Sequence, residues 1–152
     1  MIDKQDTAIL NILKRDSRLS VREISKLSKI PPTTVSRRIR NLNKLGLIKN
    51  YTINLDMNKV GKPTISYVLM NLDVSVFKTK KLTQNEIIER ISKHPIVEEC
   101  CSVTGRADVL AKVRTKDIFE LDDFINYLRK EEAVLRTETL IALYYKEENN
   151  YI

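Results

Sequence analysis

The chain has 152 residues, of which 42% are hydrophobic and 31% charged, with three glycines and four prolines. This composition is typical of one folded domain or two small ones, and it excludes a disordered or collagen-like chain. No apolar run reaches the roughly 18 to 20 residues of a membrane span. The acidic N-terminus is unlike a signal peptide, so we expect a cytoplasmic protein with no membrane partner.

The formal net charge of the whole chain is +7, and all of the excess positive charge lies in its first third. Residues 1–50 contain 12 Lys and Arg against 4 Asp and Glu, whereas residues 51–152 contain 15 against 16. No acidic residue occurs between Glu23 and Asp56. A basic block of this kind indicates either a solvated face or a surface that binds a polyanion such as nucleic acid.

Three short helices are predicted within the first 46 residues. Asp3 precedes apolar residues at helical spacing, and Ser20 begins S-V-R-E, which is typical of a capping box. The third helix is expected to begin at Pro32, since proline at the first helical position loses only a donor that would be unpaired, and to end at Gly46. Two helices joined by the short link SKIPP indicate a helix-turn-helix DNA-binding domain at 1–50.

The third predicted helix is the candidate DNA-binding element. Its inward stripe consists of Val35, Ile39, Leu42 and Leu45. The residues left to face outward, and therefore predicted to bind DNA, are Thr33, Thr34, Ser36, Arg37, Arg38, Arg40 and Asn41. Arginine can bind guanine or phosphate, asparagine can pair with adenine, and threonine or serine can contact the backbone or a thymine methyl group. The sequence therefore predicts double-stranded DNA as a partner; the alternative is a solvated cationic helix.

A linking segment is predicted after Gly46. LIKNYTINL at 47–55 has alternating apolar residues, which predicts a strand, and residues 51–63 are expected to form a linking strand and hinge. A second domain is expected at 64–146, with a polar tail at 147–152.

The second domain alternates between strand and helix patterns. Strands are predicted at 64–74, 96–105, 108–115 and 136–145. T-Q-N-E at 83–86 opens one helix, which Pro95 ends, and Asp117 caps another. The order strand, helix, strand, strand, helix, strand is that of a ferredoxin-like βαββαβ domain, so the fold class is α+β.

Few residues fit a catalytic or metal site. Cys100 and Cys101 are adjacent, so in a strand they point to opposite faces and cannot readily bond to each other. The single histidine, His94, is expected at a helix end. With no glycine-rich phosphate loop and no metal-ligand spacing, the sequence predicts neither an enzyme nor a bound metal or cofactor.

A sheet covered by helices on one face leaves the other face bare. One alternating set of side chains would expose a large apolar patch in a monomer. This set is Tyr67, Leu69, Val109, Ala111, Leu140, Ala142 and Tyr144, or the residues that alternate with them. A twofold copy would cover the patch and would space two DNA-binding helices about 34 Å, or a multiple, apart. We therefore expect at least a homodimer.

Three segments resemble the Lrp/AsnC (feast/famine) family of transcriptional regulators. Residues 3–51 are similar to the family's opening pattern, VTGRADVLAKVRT at 103–115 resembles its regulatory hairpin, and LRTETLIAL at 135–143 resembles its closing strand. The resemblance implies a winged-type helix-turn-helix domain and an ACT-like RAM domain that forms dimers, which assemble into tetramers or octamers. It also implies a small amino-acid effector bound between dimers.

By this resemblance, seven residues of the second domain contribute to the effector pocket. They are Gly105, Arg106, Asp108, Asp122, Asn126, Thr137 and Thr139. The spacing agrees, because residues four apart share a helix face and residues two apart share a strand face. The alternative is that these are ordinary turn, surface and strand residues. Two positions depart from the family pattern: Pro31 replaces a common capping serine, and Ala107 replaces a frequent aromatic residue.

The sequence thus predicts a sequence-specific regulator that responds to an amino acid. The alternative is a sequence-nonspecific architectural DNA-binding protein without an effector. RNA binding through the sheet is disfavoured, because that mode needs surface aromatic residues for base stacking and residues 51–152 have a net charge of −1.

Overall fold

The computed structural model describes residues 2–145. This part of the chain divides into two compact units, 2–54 and 55–145, and the division falls within the segment predicted as a hinge. The end of the predicted second domain and the polar tail lie outside the described residues. No helix within 2–145 is both long enough and apolar enough to cross a membrane.

Three helices form the first unit, as predicted: α1 (Lys4–Arg15), α2 (Val21–Ser28) and α3 (Pro32–Lys44). Capping boxes begin α1 at Asp3 and α2 at Ser20. The buried core that joins the three helices consists of Ile9, Leu10, Ile24, Ile30, Val35 and Leu42. Burial of this shared core fixes how α1 and α2 support α3.

The two ends of α3 are built differently. Pro31 occupies the N-cap position and provides no side-chain hydrogen bond, so the capping serine common in the family has no substitute here. At the other end Gly46 has a φ of +69°, which favours glycine. The Gly46 amide donates to the Asn43 carbonyl at 2.9 Å, and the Leu47 amide donates to the Leu42 carbonyl at 3.0 Å. This Schellman motif ends the helix where the sequence predicted.

The strand predicted over 47–55 is not formed. Residues 49–56 have neither helix nor strand structure, and residues 57–61 form a turn. The alternating apolar residues Tyr51, Ile53 and Leu55 are 51%, 72% and 49% exposed. The alternation predicted a strand, but a strand also requires a partner, and the described part of this chain provides none.

The second unit is a four-stranded antiparallel sheet with helices on one face. Its strands are β1 (Thr64–Leu72), β2 (Val97–Ser102), β3 (Val109–Thr115) and β4 (Val134–Ile141), in the order β2-β3-β1-β4. Its helices are α4 (Val74–Lys80), α5 (Gln84–Ser92) and α6 (Ile118–Arg129). The predicted βαββαβ order is confirmed, with α4 as an unpredicted addition. The core between the sheet and the helices contains side chains from β1, β3, α5 and α6.

The strand register corrects the predicted apolar face. Val109 pairs with Met70 and Ala111 pairs with Val68, and all four side chains are buried beneath the helices. The predicted set was therefore wrong to combine Val109 and Ala111 with Tyr67 and Leu69, which lie on the opposite face. Alternation identifies the residues that share a face within one strand, whereas the register between strands depends on pairing.

The open face of the sheet, opposite the helices, carries a mixed set of side chains. Tyr67 on β1 pairs with Lys112 on β3 and with Leu140 on β4, while Leu69 pairs with Leu110. Leu69 also pairs with Glu138 on β4, so four of these six residues are apolar or aromatic. Paired residues in a sheet project to the same side, so these side chains form one continuous surface.

The two cysteines lie in β2, as predicted. Cys100 pairs with Ala111 and Cys101 pairs with Leu110, which places the two thiols on opposite faces of the sheet. Both are free, and Cys100 is the more buried of the two.

Candidate nucleic-acid interface and effector site

Six of the seven residues predicted to bind DNA lie on the outward side of α3 or at its edge. Those that are exposed are Thr33, Arg37, Arg40 and Asn41. Thr34 and Ser36 are partly buried, because they flank the fully buried Val35. The first turn of α3 contains no acidic residue. The helix therefore presents positive charge and hydrogen-bonding groups along one side.

Arg38 has a different position. Its side chain is 20% exposed, and its Nη1 lies 2.8 Å from a carboxylate oxygen of both Asp3 and Asp6. Hydrogen bonds from Arg38 to Asp6 and Asp3 raise the pKa of the guanidinium. The prediction that this side chain faces outward is therefore wrong. The prediction used only the spacing of residues within α3. It did not take account of α1, whose acidic residues the long Arg38 side chain reaches.

The link between α2 and α3 is fixed by side-chain hydrogen bonds. Lys29 ends α2 with a φ of +58°. The buried Ile30 is then held on both sides: the Ser25 hydroxyl donates to its carbonyl at 2.6 Å, and its amide donates to the Ser28 hydroxyl at 3.3 Å. These contacts set the direction in which α3 leaves the turn, as a helix-turn-helix requires.

The hairpin residues of the predicted effector pocket are fastened to the neighbouring strands. Gly105 has a φ of +114°, which favours glycine. The Asp108 carboxylate accepts a hydrogen bond from the Leu72 amide at 2.8 Å, which ties the hairpin to the end of β1. Arg106 reaches across to β4, where its Nη2 lies 3.1 Å from Glu138 Oε1. The hairpin is thus positioned, but its charged groups already have protein partners.

The other four predicted effector residues lie on α6 and β4. Asn126 Nδ2 donates to Asp122 Oδ2 at 3.1 Å on the exposed side of α6. Thr137 and Thr139 pair with core residues of β1, so they project to the helix-covered face of the sheet. Among residues 2–145, the Asp122–Asn126 hydrogen bond is the only such bond between two of the seven predicted residues. A single chain therefore presents them on separate elements.

An ion-paired cluster around Glu98 lies on the open face of the sheet. Glu98 contacts two cations: its Oε2 lies 3.1 Å from Lys112 Nζ, and its Oε1 binds Arg114 Nε. Lys112 also donates to the Tyr145 hydroxyl at 3.1 Å. Burial alone would lower the pKa of Lys112, but the hydrogen bonds to Tyr145 and Glu98 raise it overall. Lys112 is therefore charged, and both Lys112 and Arg114 already have a carboxylate partner.

A helix-turn-helix unit followed by a βαββαβ unit defines a two-domain, DNA-binding regulator. A family model described as winged helix-turn-helix DNA-binding matches residues 2–49. A second, described as the Lrp/AsnC ligand binding domain, matches residues 72–150. The chain belongs to the Lrp/AsnC family, and the predicted family and fold class are confirmed.

Two transcriptional regulators are similar to this chain over most of its length and most of their own. The HTH-type transcriptional regulator LrpC of Bacillus subtilis is 33% identical over 82% of this chain and 82% of its own. FL11, an HTH-type transcriptional regulator of Pyrococcus horikoshii, is 31% identical over 93% of this chain and 89% of its own.

Two solved structures have the same fold as this chain over nearly its whole length. The structure of B. subtilis LrpC has a TM-score of 0.82 at 28% identity, covering 97% of this chain and 98% of that one. A transcriptional regulator of Neisseria meningitidis in complex with L-Met has a TM-score of 0.87 at 21% identity, covering 100% and 96%. The second of these supports the fold alone. The chain is therefore a DNA-binding transcriptional regulator with a ligand-binding domain.

Proposed function

We propose that this regulator recognises specific DNA sequences by placing α3 in the major groove. The observation that carries the proposal is the exposed basic side of α3, which has no acidic residue in its first turn. Within the described residues, no carboxylate lies within ion-pair distance of Arg37 or Arg40. Both guanidinium groups are therefore available to guanine or to phosphate.

The remaining outward residues suit a helix that approaches the bases at its first turn. Thr33, Thr34 and Ser36 are short, so they allow close approach and can contact the DNA backbone or a thymine methyl group. Asn41 lies one turn beyond Arg37 and can pair with adenine. We propose these four residues, with Arg37 and Arg40, as the DNA contacts.

The salt dependence of binding tests the role of Arg37. If Arg37 binds a phosphate, Arg37→Gln should weaken binding to all sequences and reduce the log–log salt slope by about one. If Arg37 contacts a base, Arg37→Gln should reduce the discrimination between specific and non-specific DNA sites and leave the log–log salt slope unchanged. The control is Lys130→Gln, which removes the same charge from the second unit. Unchanged affinity and slope in both Arg37→Gln and Arg40→Gln would contradict the proposal.

We further propose that the second unit binds a small amino acid. Support comes from the matched ligand-binding domain and from the Neisseria regulator of the same fold, which was solved with L-Met. The seven predicted residues supply carboxylate, guanidinium, amide and hydroxyl groups, which can bind the ammonium and carboxylate of an amino acid. As the family resemblance implies, we propose that the site is completed between dimers.

Thermal shift tests the effector proposal. A ligand that binds only the folded state raises its apparent stability, so at least one of the twenty amino acids should raise the melting temperature. Asp122→Ala should abolish this shift and leave DNA binding intact. Asp123→Ala removes an adjacent exposed acid of α6 and serves as the matched control. An equal shift in both variants would remove Asp122 from the site.

The proposal also covers the oligomeric state of the protein and its location in the cell. We propose a homodimer that builds tetramers or octamers, as in the Lrp/AsnC family, with support from the apolar side chains on the open face of the sheet, such as Leu69, Leu110 and Leu140, and from the exposed alternating residues of the linking segment. We propose a cytoplasmic, non-catalytic regulator, in keeping with relatives named as transcriptional regulators.

A further inference from the structure

We propose that Arg38 is a positioning residue, which locks the orientation of α3 against α1 and makes no contact with DNA. The inference rests on the proposed DNA-binding function of α3. It removes Arg38 from the predicted DNA contacts and gives a functional role to two acidic residues at the start of α1.

The capping box of α1 and the ion pair with Arg38 form one network. Asp3 Oδ1 accepts hydrogen bonds from the amides of Gln5 at 2.8 Å and Asp6 at 2.9 Å, while Asp6 Oδ2 accepts one from the Asp3 amide at 3.1 Å. The other oxygen of each carboxylate, Asp3 Oδ2 and Asp6 Oδ1, lies 2.8 Å from Arg38 Nη1. Helix capping thus orients both carboxylates so that their remaining oxygens converge on one nitrogen.

Burial makes this network difficult to rearrange. The Asp6 side chain is 13% exposed, and Arg38 Nε is buried without a hydrogen-bond partner among the described residues. If Arg38 turned toward DNA, it would leave two carboxylates facing each other, one of them buried. Separating a buried charge from its partner is strongly unfavourable.

The charge of the network also argues against contact with phosphate. Two carboxylates face one guanidinium, so the cluster has a formal charge of −1 when all three groups are ionised. Hydrogen bonding to the Asp6 amide lowers the pKa of Asp3, which keeps that carboxylate ionised. Arg38 therefore adds no positive potential to the surface of α3, unlike its neighbours Arg37 and Arg40.

Anchoring Arg38 fixes the rotation of α3 about its own axis. Successive residues in a helix are about 100° apart, so a fixed Arg38 determines where Arg37, Arg40 and Asn41 point. Contacts to base edges depend on this placement, whereas attraction to phosphate is long-range and sequence-independent. Loss of the anchor should therefore reduce specific binding more than non-specific binding.

Asp6→Asn distinguishes positioning from DNA contact, because the two roles predict opposite effects. If Arg38 positions α3, Asp6→Asn should weaken binding to a selected specific site about tenfold, change non-specific binding less than about twofold, and preserve the salt slope. If Arg38 contacts DNA, loss of the acid would free the guanidinium, tighten binding and steepen the slope. Tighter or unchanged specific binding would overturn the proposal.

Matched variants separate this role from loss of folding. Asp16→Asn removes an acid of the same type whose partner, Arg18, is 86% exposed, and it should preserve specific binding. Asp3→Asn retains a capping side chain on a half-exposed residue, so it tests the same network if Asp6→Asn does not fold. Affinities are expressed per folded protein, with the folded fraction measured by circular dichroism at the assay temperature.

A double-mutant cycle completes the test. Arg38→Met combined with Asp6→Asn should cost little more specific affinity than either change alone, because both break the same contact. Fully additive losses would overturn the proposal. If the wild-type protein itself binds no site specifically, the proposed function fails. If the wild-type protein binds a specific site and Asp6→Asn binds the same site equally well, only the positioning role fails.

Discussion

His94 lies just beyond α5 with its imidazole against two aromatic rings of α6. The ring centroids of Phe124 and Tyr127 are each 4.9 Å from that of His94. Its Nδ1 is buried and, within the described residues, has no hydrogen-bond partner. Burial lowers the pKa of His94, and the charge of Glu120 opposes this only in part. The folded protein therefore favours the neutral imidazole.

This environment predicts that acid destabilises the second unit. The unfolded chain protonates its histidine near the ordinary pKa of about 6.5, whereas the folded chain protonates it only at lower pH. Stability should hold above about pH 6.5 and fall as the pH drops toward the lowered pKa. The urea midpoint, followed by circular dichroism, should be lower at pH 5.5 than at pH 7.5.

His94→Gln provides the control, because the chain has a single histidine. The variant should lose less of its urea midpoint between pH 7.5 and 5.5 than the wild type. An equal loss in both proteins would show that other groups cause the pH dependence.

At the residue scale, sequence alone identified the exposed side of α3 but not the role of Arg38. Spacing placed Val35 and Leu42 inward, where both are buried, and left Arg37 and Arg40 exposed. It was wrong for Leu45, the last residue of the predicted inward stripe, which is 62% exposed at the end of α3. Arg38 and Asp6 are 32 positions apart, and no pattern in the sequence links them. Only the packing of α1 against α3 brings their side chains together.

At the scale of elements, the sequence predicted those helices that have a capping residue at one end and an apolar stripe along one face. Capping residues and apolar stripes identified α1, α2, α5 and α6. The helix α4 was missed because its seven residues are too few to establish a helical period, although its Val76 and Phe77 pack against the core. The strand at 47–55 was predicted wrongly because alternation does not supply a partner strand.

The open face of the sheet makes a prediction at this scale. Leu69 lies on that face beside Leu110, and Leu69→Glu would place a carboxylate in a proposed dimer interface, where an unpaired charge is costly. Light scattering at micromolar concentration should show a dimer or larger assembly for the wild type and a smaller species for this variant.

The matched control for the sheet face is Phe119→Glu. Phe119 is 76% exposed at the start of α6, away from the open face, so this change should leave the dimer intact. A monomeric wild type, or a Leu69→Glu variant that dimerises equally well, would contradict the proposed interface.

For the whole molecule, the division of charge matches the division of structure. The first 50 residues contain the net positive charge and fold as the helix-turn-helix, whereas the remainder is nearly neutral and forms the sheet. Charge asymmetry and element order therefore sufficed to predict a two-part DNA-binding protein. The proposed effector residues could not be derived from charge and element order, because they lie on separate elements and came only from the family resemblance.

The most direct test of the central proposal is selection of bound duplexes from a random DNA pool at about 0.15 M salt, where non-specific attraction is weakened. A dimer that reads DNA with α3 should enrich two related half-sites, separated centre to centre by a whole number of helical turns of about 10.5 base pairs. Arg37→Gln should weaken or alter the enriched motif. If the wild-type protein enriches no motif and covers DNA uniformly, it is an architectural protein and sequence-specific regulation through α3 is refuted.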